Sequence, residues 1–197
     1  MEVVVTIAVS KVETPFGQFM IATASDRVFA TRGPRAEAIE ARDWAKWLWP
    51  EDVVTFAGRA HRDLHEQIRQ YFRGQRRAFD LQLALEGNEL HVRAWLAAAE
   101  IPYGRTETYG DLSWEIGAPG AARAVGRAMA LCPTPLFIPC HRVVGAGGKR
   151  CGDLEAWERR QQLLDFERNN DGSRKPRRNR LTAFSLLNRQ PEAFSSR

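Results

Sequence analysis

"TYGDLSWEIGAPGAARAVGRAMAL", residues 108–131, decides how the second half of the chain is read. Residues 108–117 read as a short helix, "APG" at 118–120 as a turn, and 121–131 as a second helix stopped before Pro133. Two short helices joined by a tight glycine-containing turn form the helix-turn-helix pattern. Small residues mark the second helix: Ala121, Ala122, Ala124 and Gly126. They let its backbone approach a partner closely, or a neighbouring helix, and both can hold. The charge pattern favours a partner. No acidic residue falls between Glu115 and Asp153, whereas Arg123, Arg127, Arg142, Lys149 and Arg150 all do. A folded surface built from that stretch attracts phosphates.

The same run continues into "FIPCHRVVG", residues 137–145. Pro139 biases Ile138 towards an extended backbone, so Leu136–Ile138 delivers Cys140 from a stiff, buried segment. A cysteine in apolar surroundings has a raised pKa and is usually inert. Activation needs a base or a positive charge, and His141 and Arg142 follow directly. Adjacent side chains often point apart, so His141 is expected to reach the sulfur through a bridging water. Such a base needs a third group to hold its tautomer, and Asp165 and Glu167 are both candidates. Taken singly, a cysteine in an apolar run is core filler and a lone histidine is structural. A nucleophile directly after a DNA-reading element is what sets this pair apart.

Working outward, residues 3–9 and 17–23 read as strands with "TPFG" (14–17) as their turn, and Val28–Thr31 as a third. "RAEAIEARDWAKWLW" (35–49) reads as a helix ending at Pro50. "HRDLHEQIRQYFRG" (61–74) puts Leu64, Ile68, Tyr71 and Phe72 on one helical face. "FDLQLAL" (79–85) alternates as a strand does. Residues 88–100 form a helix capped by Asn88, and 155–168 another amphipathic one. The expected division is an α/β unit over 1–85, a mostly helical unit over 86–168 and a tail over 169–197.

Of 197 residues, 44% are hydrophobic and 27% charged, an ordinary globular balance. No apolar run reaches the roughly 20 residues a membrane span needs. "VVVTIAV" at 3–9 reads as a strand rather than a signal peptide. The net charge of +5 is localised: residues 168–197 carry eight Lys or Arg against Asp171 and Glu192, or +6, leaving −1 elsewhere. That basic tail is expected to be solvated and disordered. Cys132, Cys140 and Cys151 are an odd number of closely spaced cysteines, which fits a reducing compartment rather than a disulfide framework.

Residues 101–148, with "IPYG", "TYG", "GAARAVG" and above all "PCHRV", resemble the O6-alkylguanine-DNA alkyltransferases, also called methylated-DNA–protein-cysteine methyltransferases. "TPFGQFMIA" and "QYFRGQRRAFDLQL" extend the likeness more weakly, so that it spans about 13–167. It implies an α+β fold, with a small ribonuclease H-like N-terminal unit and a helix-turn-helix in the second. It implies that Cys140 accepts the alkyl group from guanine oxygen-6, irreversibly and once per molecule. His141 would take the thiol proton through a water, Glu167 would orient His141, and Tyr109 would donate to the departing guanine. Arg123 would fill the gap left by the flipped base, with Ala121, Ala122, Gly126 and Arg127 also against DNA. Met129, Val143, Asp153, Leu154 and Ala156 would wall the guanine pocket. The implied partner is duplex DNA carrying O6-alkylguanine. The chain is expected to act as a monomer, in the cytoplasm and nucleoid (or the nucleus of a eukaryote), with no cofactor and no membrane.

Three departures from the family pattern stand out. Cys132 replaces an asparagine that ties the recognition helix to the active-site segment, and a thiol is a far weaker hydrogen-bond partner. Asp153 replaces a tyrosine and Ala156 a glycine in the pocket wall, which implies slow transfer, slower still for benzyl than for methyl. In "LHVRAWL" (90–96) only Trp95 of the usual residues is kept. The competing readings are a damage sensor that binds alkylguanine without repairing it and a Cys-His hydrolase. Alkyltransferase-like sensors replace the cysteine, so Cys140 argues against the first, and no oxyanion loop supports the second. His61 and His65, four apart on a helix, have the spacing of a metal-binding pair. They are read instead as a solvated helix face, with no metal.

Overall fold

The computed structural model describes residues 6–24, 26–35, 43–44, 46, 53–56, 61–149, 152 and 154–172. The expected helix over 35–49 and the basic tail beyond Gly172 lie almost wholly outside these residues. The architecture is α+β, and none of the described helices is long and apolar enough to cross a membrane.

Strand β1 (Thr6–Thr14) turns through Pro15 and Phe16 into β2 (Gly17–Ala24), which pairs antiparallel with β1 and with β3 (Arg27–Arg35). Thr14 sets the turn. Its hydroxyl donates to the Gly17 carbonyl at 2.6 Å, and Gly17 supplies the φ of +106° that a side chain would resist. A short fourth strand, β4 (Val53–Phe56), adds parallel to β1, giving the order β3-β2-β1-β4. The sequence reading had no strand there, because four residues carry too little periodicity to register.

The two-residue period of the strands sorts their side chains. Ile7, Val9, Met20 and Ala22 face one side of the sheet, where Trp44 is buried against them. Val12, Phe19 and Ile21 face the other, into the main core. Helix α1 (Arg62–Phe72) covers that second face and buries Ile68, Tyr71 and Phe72, on the face expected from their spacing.

The histidine pair corrects the sequence reading. His61 is not solvated but 2% exposed, at the start of α1 beneath the sheet. Its ring bonds the Ser10 hydroxyl at 2.6 Å and the Thr23 hydroxyl at 2.7 Å, while His65 reaches the same Ser10 oxygen at 2.8 Å. The helix is thus clamped to β1 and β2 through hydroxyls on alternate strand positions, a partnership the helix sequence alone could not show. Burial, with His65 alongside, lowers the His61 pKa from 6.5 to about 4. The unfolded chain therefore binds a proton more readily than the fold between these values, and stability falls as pH drops through that window. His65 and His141 are lowered by burial as well and add to the same limb. Thermal unfolding should show the midpoint falling from pH 6.5 towards 4, and His61→Gln should flatten the slope. An unchanged slope in that variant would remove His61 from the account.

The expected strand over 79–85 reduces to one bridge, Leu83 with Val28. The β3 edge beyond it is already occupied. Thr31 donates its amide to the Pro133 carbonyl at 2.8 Å and its hydroxyl to the Pro135 carbonyl at 2.9 Å. The segment leading to Cys140 is therefore anchored on the sheet, and one core runs across residue 85. Phe19 and Phe79 both pack edge-on against Phe137, at 5.7 and 4.9 Å.

Helix α2 (Glu89–Ala99) is capped by Asn88, whose side chain accepts from the His91 amide. Helix α3 (Tyr109–Glu115) starts in a capping box between Thr108 and Asp111. Residues 116–121 turn the chain into α4 (Ala122–Ala130), which packs on α2 and α3. Trp95 on α2 donates to the Ala128 carbonyl at 2.7 Å, which also accepts the Leu131 amide at 3.2 Å, and so ties α2 to the end of α4. Helix α5 (Leu154–Asn170) closes the described chain.

Candidate functional site

Cys140 opens a single 3-10 turn, Cys140–Arg142, which leads into β6 (Val143–Val144). That strand pairs parallel with β5 (Glu107–Thr108), immediately before α3, so Tyr109 and Val143 emerge side by side. Cys140, His141, Arg142 and Val143 are all buried.

Glu167 on α5 organises the turn. Its carboxylate is fully buried and accepts five donors. His141 Nε2 donates at 2.8 Å, Tyr71 Oη at 2.6 Å and the Gly104 amide at 2.9 Å. Arg142 supplies Nε at 3.0 Å and a terminal nitrogen at 2.8 Å, and its other terminal nitrogen donates to the Ile101 carbonyl at 2.6 Å. Burial opposes the charge on Glu167, but His141 and the Arg142 guanidinium outweigh it and hold the carboxyl well below the usual carboxylate range. Of the two acids left open by the sequence, Asp165 is exposed and faces Arg168 at 3.7 Å, so Glu167 is the partner of His141.

The chemistry follows from the proton positions. A carboxylate only accepts, so His141 carries its proton on Nε2 and offers Nδ1 as the basic atom. Burial keeps the ring neutral by lowering its pKa against the pull of Glu167. Burial also pushes the Cys140 thiol up, a hydrogen bond with the Cys132 thiol adds to this, and the charge of Arg160 opposes it. The resting pair is a neutral thiol beside a neutral base, set to separate charge only when a leaving group can receive it.

Arg142 needs a correction. The sequence reading placed it with the surface cations and as a charge available to Cys140. It is 7% exposed and spent on Glu167 and Ile101. Arg123, Arg127 and Lys149 remain exposed in the acid-free stretch, and Arg150 and Cys151 lie outside the described residues. Arg123 and Arg127 stand one turn apart on α4, with Ala121 and Ala122 half-buried at its start. Gly126 faces the Tyr109 ring, where an added Cβ would lie 3.9 Å from it.

A cavity of about 240 Å³ opens beside the turn. Tyr109, His141 and Val143 line it together with Trp157, Arg160 and Leu164 of α5. Arg160 donates to the Tyr109 hydroxyl at 3.2 Å. Of the other expected wall residues, Met129 is buried in the core, Ala156 is half-buried and Leu154 is 53% exposed. None of these three is among the lining residues of the cavity, and Asp153 lies outside the described residues. The sequence reading missed Tyr71, Gly104, Trp157 and Arg160. "IPYG" was legible as part of the family motif but with no role for Gly104, and nothing local tells that Tyr71, 96 positions from Glu167, is its partner. Among the described residues no group of three or more His, Cys, Asp or Glu side chains is placed to hold a metal ion.

Comparison with known proteins places the arrangement. Residues 89–169 match the family described as 6-O-methylguanine DNA methyltransferase, DNA binding domain. The methylated-DNA–protein-cysteine methyltransferase of Mycolicibacterium paratuberculosis is 46% identical over 120 residues, covering 61% of this chain and 70% of that protein. The constitutive enzyme of that name from Bacillus subtilis is 34% identical over 160 residues, covering 79% and 92%. The crystal structure of Mycobacterium tuberculosis OGT in complex with DNA superposes with a TM-score of 0.69 at 32% identity, covering 84% of this chain and 94% of that one.

Proposed function

The chain belongs to the methylated-DNA–protein-cysteine methyltransferase family of DNA-repair proteins, and we propose that Cys140 is its alkyl acceptor, acting on O6-alkylguanine flipped out of duplex DNA. The observation that carries this reading is the buried turn of Cys140 and His141, with His141 bonded to Glu167 of α5, beside a cavity lined by His141 and Tyr109. Flipping is a physical requirement, since the alkylated oxygen is out of reach of a buried thiol while the base remains stacked.

The transfer is a single in-line displacement. His141 Nδ1 takes the Cys140 proton through a water, and the sulfur attacks the alkyl carbon. The S–C bond forms as the C–O bond breaks, and the electron pair leaves with guanine. Tyr109 donates a hydrogen bond to the departing base, and Arg160, by donating to the Tyr109 oxygen, strengthens it as a donor. Glu167 stabilises the transient imidazolium. The thioether product has no reverse path, so each molecule acts once; the chain is read as a monomer.

The finer architecture fits this role. The sheet, with three antiparallel strands and β4 parallel at its edge, is read as a ribonuclease H-like N-terminal unit within 1–85. The 86–168 unit is read as the DNA-binding and catalytic part, with α3 and α4 as a helix-turn-helix and α4 as the recognition helix. Ala121, Ala122 and Gly126 let its backbone approach the minor groove, and Arg123 and Arg127 lie along the duplex. Incubation with duplex DNA carrying labelled O6-methylguanine tests the reading. Covalent label on the protein supports transfer, bound but unmodified DNA would mean a sensor, and a released small product would mean a hydrolase.

Arg123→Ala should lower the repair rate on duplex DNA by about 10–100-fold, with much less loss on single strands, because only a stacked base leaves a gap to fill. Second-order rate constants on the two substrates check this, and equal losses would reduce Arg123 to a phosphate contact.

A further inference from the structure

Tyr71 reaches the acceptor turn from the first half of the chain. It sits in the last turn of α1 and is 1% exposed. The helix itself is held to β1 and β2 by the bonds of His61 and His65 to Ser10 and Thr23. Aromatic neighbours cage the Tyr71 ring: Phe72 at 5.0 Å, Phe79 at 5.3 Å, Tyr103 at 5.7 Å and Phe166 at 5.8 Å between centroids. The cage points the hydroxyl at Glu167 Oε1, 2.6 Å away. The same oxygen accepts His141 Nε2 at 2.8 Å and an Arg142 terminal nitrogen at 2.8 Å. Packing needs only the ring, and a phenylalanine would fill the cage as well. The hydroxyl, placed on the atom that holds the base, adds something packing does not require.

Three side chains on one carboxylate oxygen divide its negative charge. The share left to His141 decides how far Glu167 favours the charged ring over the neutral one. We propose that Tyr71 is a positioning residue for alkyl transfer: by donating to the Glu167 oxygen that also holds His141, it takes up part of the carboxylate's charge and keeps the ring a neutral base. This rests on Cys140 as the acceptor and His141 as its base. Burial and the adjacent Glu167 raise the Tyr71 hydroxyl well above its ordinary 10, so it stays a donor throughout the range in which His141 titrates. The other charges near His141 are Arg142 and Cys140 on its own turn and Arg160 on α5. Helix α2 also packs on the turn, but it buries Ala94, Trp95 and Ala98, none of them titratable. Tyr109, Lys149 and Arg168 line the same cavity as His141, and Arg142 lies over the Tyr103 ring at 5.7 Å. Of these groups, Tyr71 alone comes from α1.

Tyr71→Phe keeps the ring and removes the donor. Glu167 then turns more of its charge on His141, which takes up a proton at a higher pH. A charged His141 cannot accept the Cys140 proton, so transfer should fade at a higher pH too. The expected shift is roughly half a unit or more. A role in packing alone would lower the rate or the Tm without moving either midpoint. The full-length protein, isotope-labelled in its four histidine rings, is titrated by NMR into acid, with His141→Gln to assign the signal. Single-turnover transfer from saturating O6-methylguanine duplex is followed over the same range. The His141 midpoint and the acid limb of transfer should rise together in Tyr71→Phe. A ring-fluorinated tyrosine at 71, a stronger donor, should move both the other way. A His141 midpoint that does not rise in Tyr71→Phe, or that lies below acid unfolding in both proteins, overturns the proposal, as does a midpoint that rises while the limb stays. If Tyr71→Phe does not fold, the fluorinated protein decides, and a midpoint that fails to fall overturns it. The ring titration does not depend on which residue accepts the alkyl group. A wild type that transfers nothing at any pH would count against the acceptor reading, whereas an unmoved midpoint counts against the role of Tyr71.

Discussion

Cys140→Ser is expected to take alkyl transfer below detection while affinity for duplex DNA stays within about threefold, under 1 kcal/mol, of wild type. The two functions rest on different atoms. The displacement needs a polarisable sulfur whose proton His141 can remove; a serine hydroxyl in the same buried turn holds its proton far more tightly and attacks carbon poorly. On the proposed reading, duplex binding rests on Arg123 and Arg127, which are exposed on α4, an element separate from the 140–142 turn. Labelled O6-methylguanine duplex gives transfer, and titration of the same duplex gives affinity. Alkyl groups mapped by mass to Cys132 or Cys151 in the wild type would overturn the assignment. A parallel collapse of binding would show that the turn positions the DNA-reading face.

Glu167→Ala is expected to cost about 3–5 kcal/mol of stability, because it leaves the Arg142 guanidinium buried and unpaired. For a chain of this size that is roughly 6–20 °C in Tm. Tyr71, Gly104 and His141 lose their acceptor in the same step. Glu167→Gln keeps the shape and removes the charge, so it should fall between the two in stability while still losing the hold on the His141 tautomer. The sign with pH is fixed. The Glu167 carboxyl is held below its ordinary 4.5, so its contribution is complete above that value and fades as pH falls further. Thermal unfolding of both variants from neutrality into acid checks this. A Glu167→Ala protein within 1 kcal/mol of wild type would mean that water replaces the carboxylate and that the turn does not depend on it.

The sequence by itself determined what local chemistry can carry. The "TPFG" turn, the Asn88 cap, the apolar faces of α1 and α2, and the paired helices α3 and α4 follow from turn residues, capping groups and period. Cys140 and His141 stood out because they are adjacent in the chain, and Tyr109 through the family resemblance. The tertiary structure decided what depends on distant partners. It chose Glu167 over Asp165, since burial against Tyr71 and Arg142 is a property of the packed helix. It turned Arg142 inward, and it brought His61 under the sheet to Ser10 and Thr23. It cut the 79–85 strand to one bridge, because Pro133 and Pro135 already hold the β3 edge. Each of these is a contact between residues that neither periodicity nor propensity relates, and only the closing of one core over both halves of the chain makes them neighbours.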